Sequence, residues 1–334
     1  MSSRGRRSQL AWEEGAGNAR DRRLESSQIE LQGSRGRGRG GSVATLVCEV
    51  GSYASQPANR FSFRAEGERS TEWRGPRIWV GRKADSTLPR QLKQSWLSLA
   101  EALPLVETLQ LVEDEQISVF PSGVPWKKYS GEIDGLDVHI VVPGKDKTLG
   151  VDSVGTVPCS LLTYASAVAL RPNLLINAGT AGGFQAKGAN IGDVYVATEF
   201  ANHDRRIPIP VFDKYGVGTI EATPTGNLIR DLKFKEGKLS TGNSLDMTLQ
   251  DEEYIKANDA TVKDMEGAAV AYVANMLAIP LISLKAVTDI VDDSKPTVEE
   301  FLKNMSMAAS ALSNAVPLVL KYVSGKTVAD LHSS

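Results

Sequence analysis

Four apolar stretches of this sequence end in residues that could do chemistry. Ligands of open α/β sheets bind outside the carboxyl ends of the strands, so residues that follow strands are candidates for a shared site. Glycines there allow close backbone approach, and carboxylates can move protons or stabilise positive charge. The four ends are Gly179-Thr180-Ala181-Gly182-Gly183, Gly242-Asn243-Ser244, Glu266 and Asp289.

The two carboxylates have different neighbours in the chain. Asp289 is flanked by Val287 and Ile290, so burial is expected to raise its pKa and keep a proton available for donation. Glu266 precedes small residues that let the backbone approach a ligand closely. Taken singly, a carboxylate after a strand is usually a helix N-cap or a solvated loop residue.

Two further residues could complete a site. Thr180 offers a hydroxyl next to backbone N–H groups. Glu101 lies in the stretch AEALPL, where nothing in the spacing separates it from an exposed helix residue such as Glu107. The sequence contains no Walker A motif, no GxSxG and no Cys–His pair at a recognisable spacing.

The composition excludes several classes of protein. The chain has 334 residues, of which 41% are hydrophobic and 23% charged, as in a globular protein. Cys48, Cys159 and three scattered histidines cannot form a disulfide framework or a four-ligand zinc site, and we expect no metal. With no apolar run of 18 residues and no apolar leader, we expect a cytoplasmic protein without a membrane segment.

Charge is distributed unevenly along the chain. Residues 1–95 carry 16 arginines and 2 lysines against 10 acidic residues, a net charge of +8, whereas the remainder carries −10. We therefore predict an Arg/Gly/Ser-rich, disordered segment over 1–95 and a folded domain over 96–330. Residues 36–41 (GRGRGG) match a dinucleotide-binding pattern, but they follow no strand and open no helix. The tract could bind RNA through charge, although its composition favours a solvated tail.

From about residue 96, strands and helices are predicted to alternate. This alternation indicates an α/β fold around a largely parallel or mixed sheet. The predicted strands are 138–142, 173–178, 193–198, 238–241, 261–265 and 280–287, and the predicted helices are 151–170, 267–277 and 297–323. Pro158 predicts a kink or early break in the first of these helices.

Eight ordered stretches carry a resemblance to a known family. They are AEALPLV (100–106), GVDSVGTVP (150–158), INAGTAGGF (176–184), KGANIGDV (187–194), HDRRIPIP (203–210), STGNSLDM (240–247), NDATVKDMEGAAVAYVA (258–274) and LKAVTDIVD (284–292). Through them, residues 98–330 closely resemble plant 5'-methylthioadenosine/S-adenosylhomocysteine nucleosidases. The resemblance implies a three-layer α/β/α sandwich of the nucleoside phosphorylase type with a mixed central sheet. It also implies a homodimer that uses no metal or organic cofactor.

The resemblance further assigns roles residue by residue. Asp289 matches the general acid that protonates adenine N7, Glu266 the residue that holds the ribose hydroxyls, and Glu101 the carboxylate that activates the attacking water. Five other positions match the surroundings of the substrate: Thr180 and Lys285 near the water and the ribose, Met265 against the sugar, and Leu245 and Asp246 where the backbone meets the adenine.

These roles fit hydrolysis of the N-glycosidic bond of 5'-methylthioadenosine, in methionine salvage, with S-adenosylhomocysteine as a second candidate substrate. Phosphorylase relatives use bound phosphate in place of the glutamate–water pair, so Glu101 favours hydrolysis. Three alternatives stay open: a purine nucleoside phosphorylase-type activity, a nucleoside-binding homologue with impaired catalysis, and an RNA-associated protein acting through the Arg-Gly tract.

The sequence departs from the family at two places. The family has a core strand of the type VVFVIAMQ directly before AEALP, where this chain has the polar residues 91–99. Residues 43–50 are apolar enough but lie about 50 residues too far upstream, so the first strand of the sheet is predicted to be missing. Asn243 stands where plant relatives have Asp, and the loss of this charge predicts a modest weakening of the site.

Overall fold

The computed structural model describes residues 42–48, 98–114, 119–293 and 297–332. The strands in these ranges are β1 (Ser42–Cys48), β2 (Val112–Glu113), β3 (Lys127–Ile133), β4 (Leu136–Val142), β5 (Leu174–Gly183), β6 (Val194–Asn202), β7 (Ile220–Glu221), β8 (Lys235–Thr241), β9 (Val262–Asp264) and β10 (Leu281–Ile290). The α-helices are α1 (Ser98–Thr108), α2 (Thr156–Leu170), α3 (Phe212–Val217), α4 (Gly226–Leu232), α5 (Leu249–Ala257), α6 (Gly267–Met276) and α7 (Thr297–Val323).

The strands form one mixed sheet that closes partly on itself. β5 pairs in parallel with β10, β10 pairs antiparallel with β6, β6 pairs in parallel with β8, and β8 pairs in parallel with β9. β9 then returns to the end of β5 in an antiparallel pairing, which completes a ring of five strands. From β5 the sheet extends outward through β1, β4, β3 and β2. The predicted mixed α/β fold is therefore confirmed.

The prediction that the first strand is missing is wrong. β1 lies inside the sheet, parallel to β4 on one side and to β5 on the other, with Leu46 paired to Ile140 and to Ile176. Residues 43–50 lie far upstream of α1, but chain-closure entropy grows only slowly with loop length, by about 0.6 kcal/mol per doubling. The assignment of residues 1–95 to a segment outside the domain is wrong for residues 42–48. The rest of that segment, including the Arg-Gly tract, lies outside the described residues.

Both faces of the sheet are covered by helices, as in the predicted three-layer arrangement. β1 illustrates this arrangement. Leu46 and Val47 are successive residues of the strand, so they point to opposite faces of the sheet, and both are fully buried. Leu46 packs in the core that includes α1 and α7, and Val47 packs in the core that includes α2 and α6. A strand that is buried on both faces needs apolar residues at successive positions, and β1 (SVATLVC) supplies them.

The predicted elements over the body of the chain are present, with shifted ends. α7 spans 297–323 as predicted, whereas α2 begins five residues later than its predicted start at 151. Pro158 is therefore the third residue of α2, where its missing N–H costs nothing, and it does not kink the helix. The elements that the sequence analysis missed include β3 (KKYSGEI) and α5 (LQDEEYIKA), since neither shows an apolar pattern.

The described residues include no helix that is both long and apolar enough to cross a membrane.

β1 predicts a specific stability effect. Leu46 is fully buried, so Leu46→Ala should lower the free energy of unfolding by about 2–5 kcal/mol through lost burial and a cavity. The matched control is Leu249→Ala, since Leu249 is 82% exposed and its truncation should change little. Urea unfolding of the two variants and the wild type is the measurement. Equal midpoints for both variants would show that β1 does not belong to the core.

Candidate active site

A cleft lies where β5, β9 and β10 end, beside the segment that follows β8. α7 contributes Phe301 to its wall. Five residues that the sequence analysis selected line this cleft: Thr180, Leu245, Met265, Glu266 and Asp289. The ring closure brings them together, because β5, β9 and β10 are neighbours in it.

Asp289 is placed by an irregularity in β10. The register against β5 shifts between Val287 and Asp289, and Thr288 donates its hydroxyl to Asp289 Oδ1 at 2.7 Å. Gly182 allows this approach, because a Cβ there would lie 2.9 Å from Asp289 Oδ2. The carboxyl group is buried, and burial raises its pKa, although the Thr288 hydrogen bond and the charge of Lys263 lower it. The burial inferred for Asp289 from the sequence is thus present.

Glu266 lies just before α6 and is also buried. Its Oε1 accepts a hydrogen bond from the backbone N–H of Gly155 at 2.8 Å. Gly155 has φ +93, a conformation that favours glycine, and it immediately precedes α2. This contact ties the carboxylate of the cleft to the beginning of a helix 111 positions away in the sequence.

Lys285 does not line the cleft. It is fully buried in β10, and its Nζ pairs with Oδ2 of Asp264 at 2.9 Å. Asp264, which does line the cleft, also accepts hydrogen bonds from the Thr241 hydroxyl and from the N–H of Gly267. Burial raises the pKa of Asp264 to about 6, and these hydrogen bonds oppose the shift. Lys285 therefore lies behind the cleft wall, as the partner of a carboxylate that the sequence analysis did not select.

Lys263 is a second cleft residue that the sequence analysis missed. Its Nζ donates to the backbone oxygen of Leu245 at 2.8 Å and reaches that of Asp246 at 3.4 Å. Asp246 is therefore connected to the site through its backbone, while its exposed side chain is not part of the cleft lining. The signal that could have found Lys263 is the charged pair Lys263-Asp264 inside the predicted strand 261–265, because charged residues in a buried strand need partners.

Asn243 occupies the edge of this region without lining the cleft. Its Oδ1 accepts hydrogen bonds from the backbone N–H and the hydroxyl of Thr156, both at 2.9 Å. Its backbone N–H and its Nδ2 donate to Asp204 Oδ2 at 2.6 and 3.0 Å. The amide thus acts as acceptor towards α2 and donor towards Asp204, a pairing that an ionised aspartate could not make. The predicted weakening at Asn243 stays a prediction.

Glu101 belongs to α1, but its side chain lies outside the described residues. α1 packs against α7, the helix that brings Phe301 to the cleft.

The match to a family model adds a first line of comparison. A model described as "Phosphorylase superfamily" matches residues 98–321. The match covers α1 to α7 and begins after β1, so β1 belongs to the sheet but not to the matched stretch.

Individual relatives narrow the class. The 5'-methylthioadenosine/S-adenosylhomocysteine nucleosidase of Arabidopsis thaliana is 57% identical over 231 residues, which are 69% of this chain and 91% of that protein. The 5'-methylthioadenosine nucleosidase of the same plant is 55% identical over 232 residues, 70% of this chain and 86% of that protein. A solved structure of Arabidopsis thaliana 5'-methylthioadenosine nucleosidase in apo form covers 87% of this chain and 99% of its own, with a TM-score of 0.71 and 44% identity. The chain therefore belongs to the phosphorylase superfamily and, within it, to the family of the plant 5'-methylthioadenosine/S-adenosylhomocysteine nucleosidases.

The Asp264–Lys285 pair predicts a large stability effect. Asp264→Asn removes the carboxylate that balances a fully buried ammonium, so we expect a loss of about 3–5 kcal/mol in the free energy of unfolding. Because the loss comes from an ammonium group left buried without its carboxylate, the double variant Asp264→Asn/Lys285→Met, which removes that charge, should recover much of it.

The control is Glu252→Gln, which breaks an exposed pair with Lys256 and should cost less than about 1 kcal/mol. Thermal and urea unfolding measure all three variants. A single variant Asp264→Asn that is as stable as Glu252→Gln would contradict the importance of the buried pair.

Proposed function

We propose that this protein hydrolyses the N-glycosidic bond of 5'-methylthioadenosine to release adenine and 5-methylthioribose. The observation that carries the proposal is the buried carboxyl group of Asp289, which lines the same cleft as the buried carboxylate of Glu266. The names and close identity of the two Arabidopsis relatives support the choice of nucleoside. S-adenosylhomocysteine is the second candidate substrate, since one of these relatives is named for both compounds.

In the proposed reaction Asp289 is the general acid. The bond between C1' and N9 breaks, positive charge builds on the ribose, and the departing base accepts the proton of Asp289 at N7. A raised pKa suits this role because the carboxyl group must be protonated before transfer. Such a donor contributes about 10²–10⁴-fold to the rate.

Glu266 is assigned to the ribose. Its hydrogen bond from Gly155 holds the carboxylate in place at the wall of the cleft. A fixed negative charge there stabilises the positive charge that develops on the sugar. Glu101 is assigned to the water, whose oxygen attacks C1' while the carboxylate accepts a proton. This last role rests on the family resemblance.

The alternative of an impaired nucleoside-binding homologue depended on a sheet without its first strand. Since β1 completes the sheet between β4 and β5, that argument no longer holds.

The decisive experiment is adenine release from 5'-methylthioadenosine in phosphate-free buffer, followed by chromatography. We expect adenine and 5-methylthioribose in equal amounts without added phosphate. A strict requirement for phosphate, with a ribose-1-phosphate-type product, would identify a phosphorylase instead.

Asp289→Asn should lower kcat by at least about 10²-fold, because an amide cannot supply the proton to N7. Substrate binding should change little, since the amide keeps the size of the carboxyl group. The matched control is Asp292→Asn, three positions further along, where the exposed carboxylate accepts hydrogen bonds from the backbone of residues 185 and 186. Steady-state kinetics of adenine release measure both variants. Near-normal turnover in Asp289→Asn would move the acid to another residue.

We also propose that the protein forms a homodimer through α2 and α6, which pack side by side. α2 exposes an apolar stripe at positions i, i+4, i+7 and i+11, and α6 adds two large apolar side chains. The stripe consists of Val157, Leu161, Tyr164 and Val168, and the α6 residues are Tyr272 and Met276. Because the stripe begins two residues after Gly155, a second copy docked on it would lie next to the contact that holds Glu266.

The dimer predicts that Leu161→Asp shifts the protein to a monomer at micromolar concentration, since a charge in the centre of the stripe must be desolvated on association. Leu302→Asp is the control, because Leu302 is 48% exposed on α7, away from the stripe. Size-exclusion chromatography with light scattering gives the mass of each. A monomeric wild type, or a dimer in both variants, would refute this interface.

A further inference from the structure

Lys263 is a buried ammonium group that the proposed mechanism leaves without a role. It is the central residue of β9 and only 4% exposed, and it lines the cleft together with Asp289. A buried lysine is costly unless its charge meets acceptors or anions, so its surroundings identify what it does.

The first contact of Lys263 is with the backbone between β8 and α5. Its Nζ lies 2.8 Å from the Leu245 oxygen and 3.4 Å from the Asp246 oxygen. Hydrogen bonds from an ammonium group are shorter and stronger than neutral ones, so this side chain ties an otherwise exposed segment to β9. Leu245 belongs to the cleft wall, which makes Lys263 a support for that wall.

The second interaction of Lys263 is with Asp289, the proposed general acid. Asp289 is neutral before it gives up its proton and negative afterwards, and its side chain is buried. A positive charge nearby stabilises the later state and makes Asp289 the better donor. Glu300 of α7 acts on Asp289 in the opposite sense. Lys263 itself is faced by carboxylates from three other parts of the chain and from its own strand, Asp289, Asp246, Asp251 and Asp264, and it interacts with His203 after β6.

We propose that Lys263 is a positioning residue that couples binding of the base to proton transfer from Asp289. Through one ammonium group it holds the backbone at 245 and 246, against which the base is bound, and it balances the charge that remains on Asp289 after proton transfer. This inference rests on the proposed function, because it takes Asp289 as the acid and adenine as the leaving group.

The test compares Lys263→Met, Lys263→Arg and the control Lys238→Met in adenine release from pH 5 to pH 9. Methionine keeps an unbranched stem without the charge, and arginine keeps the charge. Lys238 lies on β8 with its side chain 41% exposed, and it pairs with Glu199. Thermal unfolding of each variant shows that it is folded.

For Lys263→Met we expect a rise in KM and a fall in kcat of at least about tenfold. The protonated form of Asp289 is active, so activity is lost as the pH rises through its pKa. Removing the ammonium raises that pKa further, and the alkaline limb of kcat should move up by about one pH unit. Lys263→Arg should keep the limb in place, and Lys238→Met should match the wild type.

Binding of adenine itself, measured by calorimetry, tests the support of the wall without turnover. A wild type that does not hydrolyse the nucleoside would overturn the proposed function. Weaker adenine binding in Lys263→Met than in Lys238→Met would then still support the part of the proposal in which Lys263 holds the backbone at 245 and 246. An active wild type with unchanged KM, pH limb and adenine binding in Lys263→Met would overturn the role of Lys263 alone. Equal shifts of the limb in Lys263→Met and Lys263→Arg would also overturn it, because the charge would then have no part.

Discussion

The pairing of β5 with β10 closes five strands into a ring, and the position of every cleft residue depends on that closure. Both strands are ten residues long and buried along their whole length. Their parallel pairing places Thr180 opposite Ala286 and Gly182 opposite Asp289. Since β9 pairs with the end of β5 as well, the residues that follow β9 meet the same edge of the sheet. An open sheet of the same strands would separate Glu266 from Asp289.

The lysines buried around this closure face carboxylates or carbonyl groups. Lys285 faces Asp264 behind the cleft, and Lys263 faces Asp289 and the carbonyl groups of Leu245 and Asp246 within it. Buried ions remain ionised only where partners and hydrogen bonds compensate for lost hydration. Burial keeps the pKa of Asp289 above its usual range, although the Thr288 hydroxyl and the charge of Lys263 lower it. Asp264, by contrast, is paired directly with Lys285 and accepts hydrogen bonds from the Thr241 hydroxyl and the N–H of Gly267.

Small residues make these close approaches possible. A side chain at Gly182 would collide with Asp289, and one at Gly267 would lie 2.8 Å from Asp264 Oδ2. The N–H of Gly267 donates to that same carboxylate, so the glycine both opens the space and supplies a hydrogen bond. The run after Glu266 was interpreted from the sequence as room for a ligand. In the structure the first of these residues serves a neighbouring carboxylate.

Local pattern alone predicted most of the elements that position the cleft, because β5 and β10 are apolar runs, α6 is a run of small and apolar residues, and α7 shows a helical period. It also selected five residues that meet in the cleft, because strand ends of an α/β sheet share one edge. Three features of the protein depend on the tertiary structure and could not be predicted from the local sequence. Residues 42–48 entered the centre of the sheet across a long chain interval, since a strand is recruited by pairing on both edges and not by its distance in sequence. Lys285 lies behind the wall of the cleft, whereas Lys263 lines the cleft. The face of the sheet on which a strand residue lies depends on the register between the strand and its neighbours. The pKa of Asp289 followed from its burial against β5 and α7, because desolvation is a property of the packed surroundings and not of the residue.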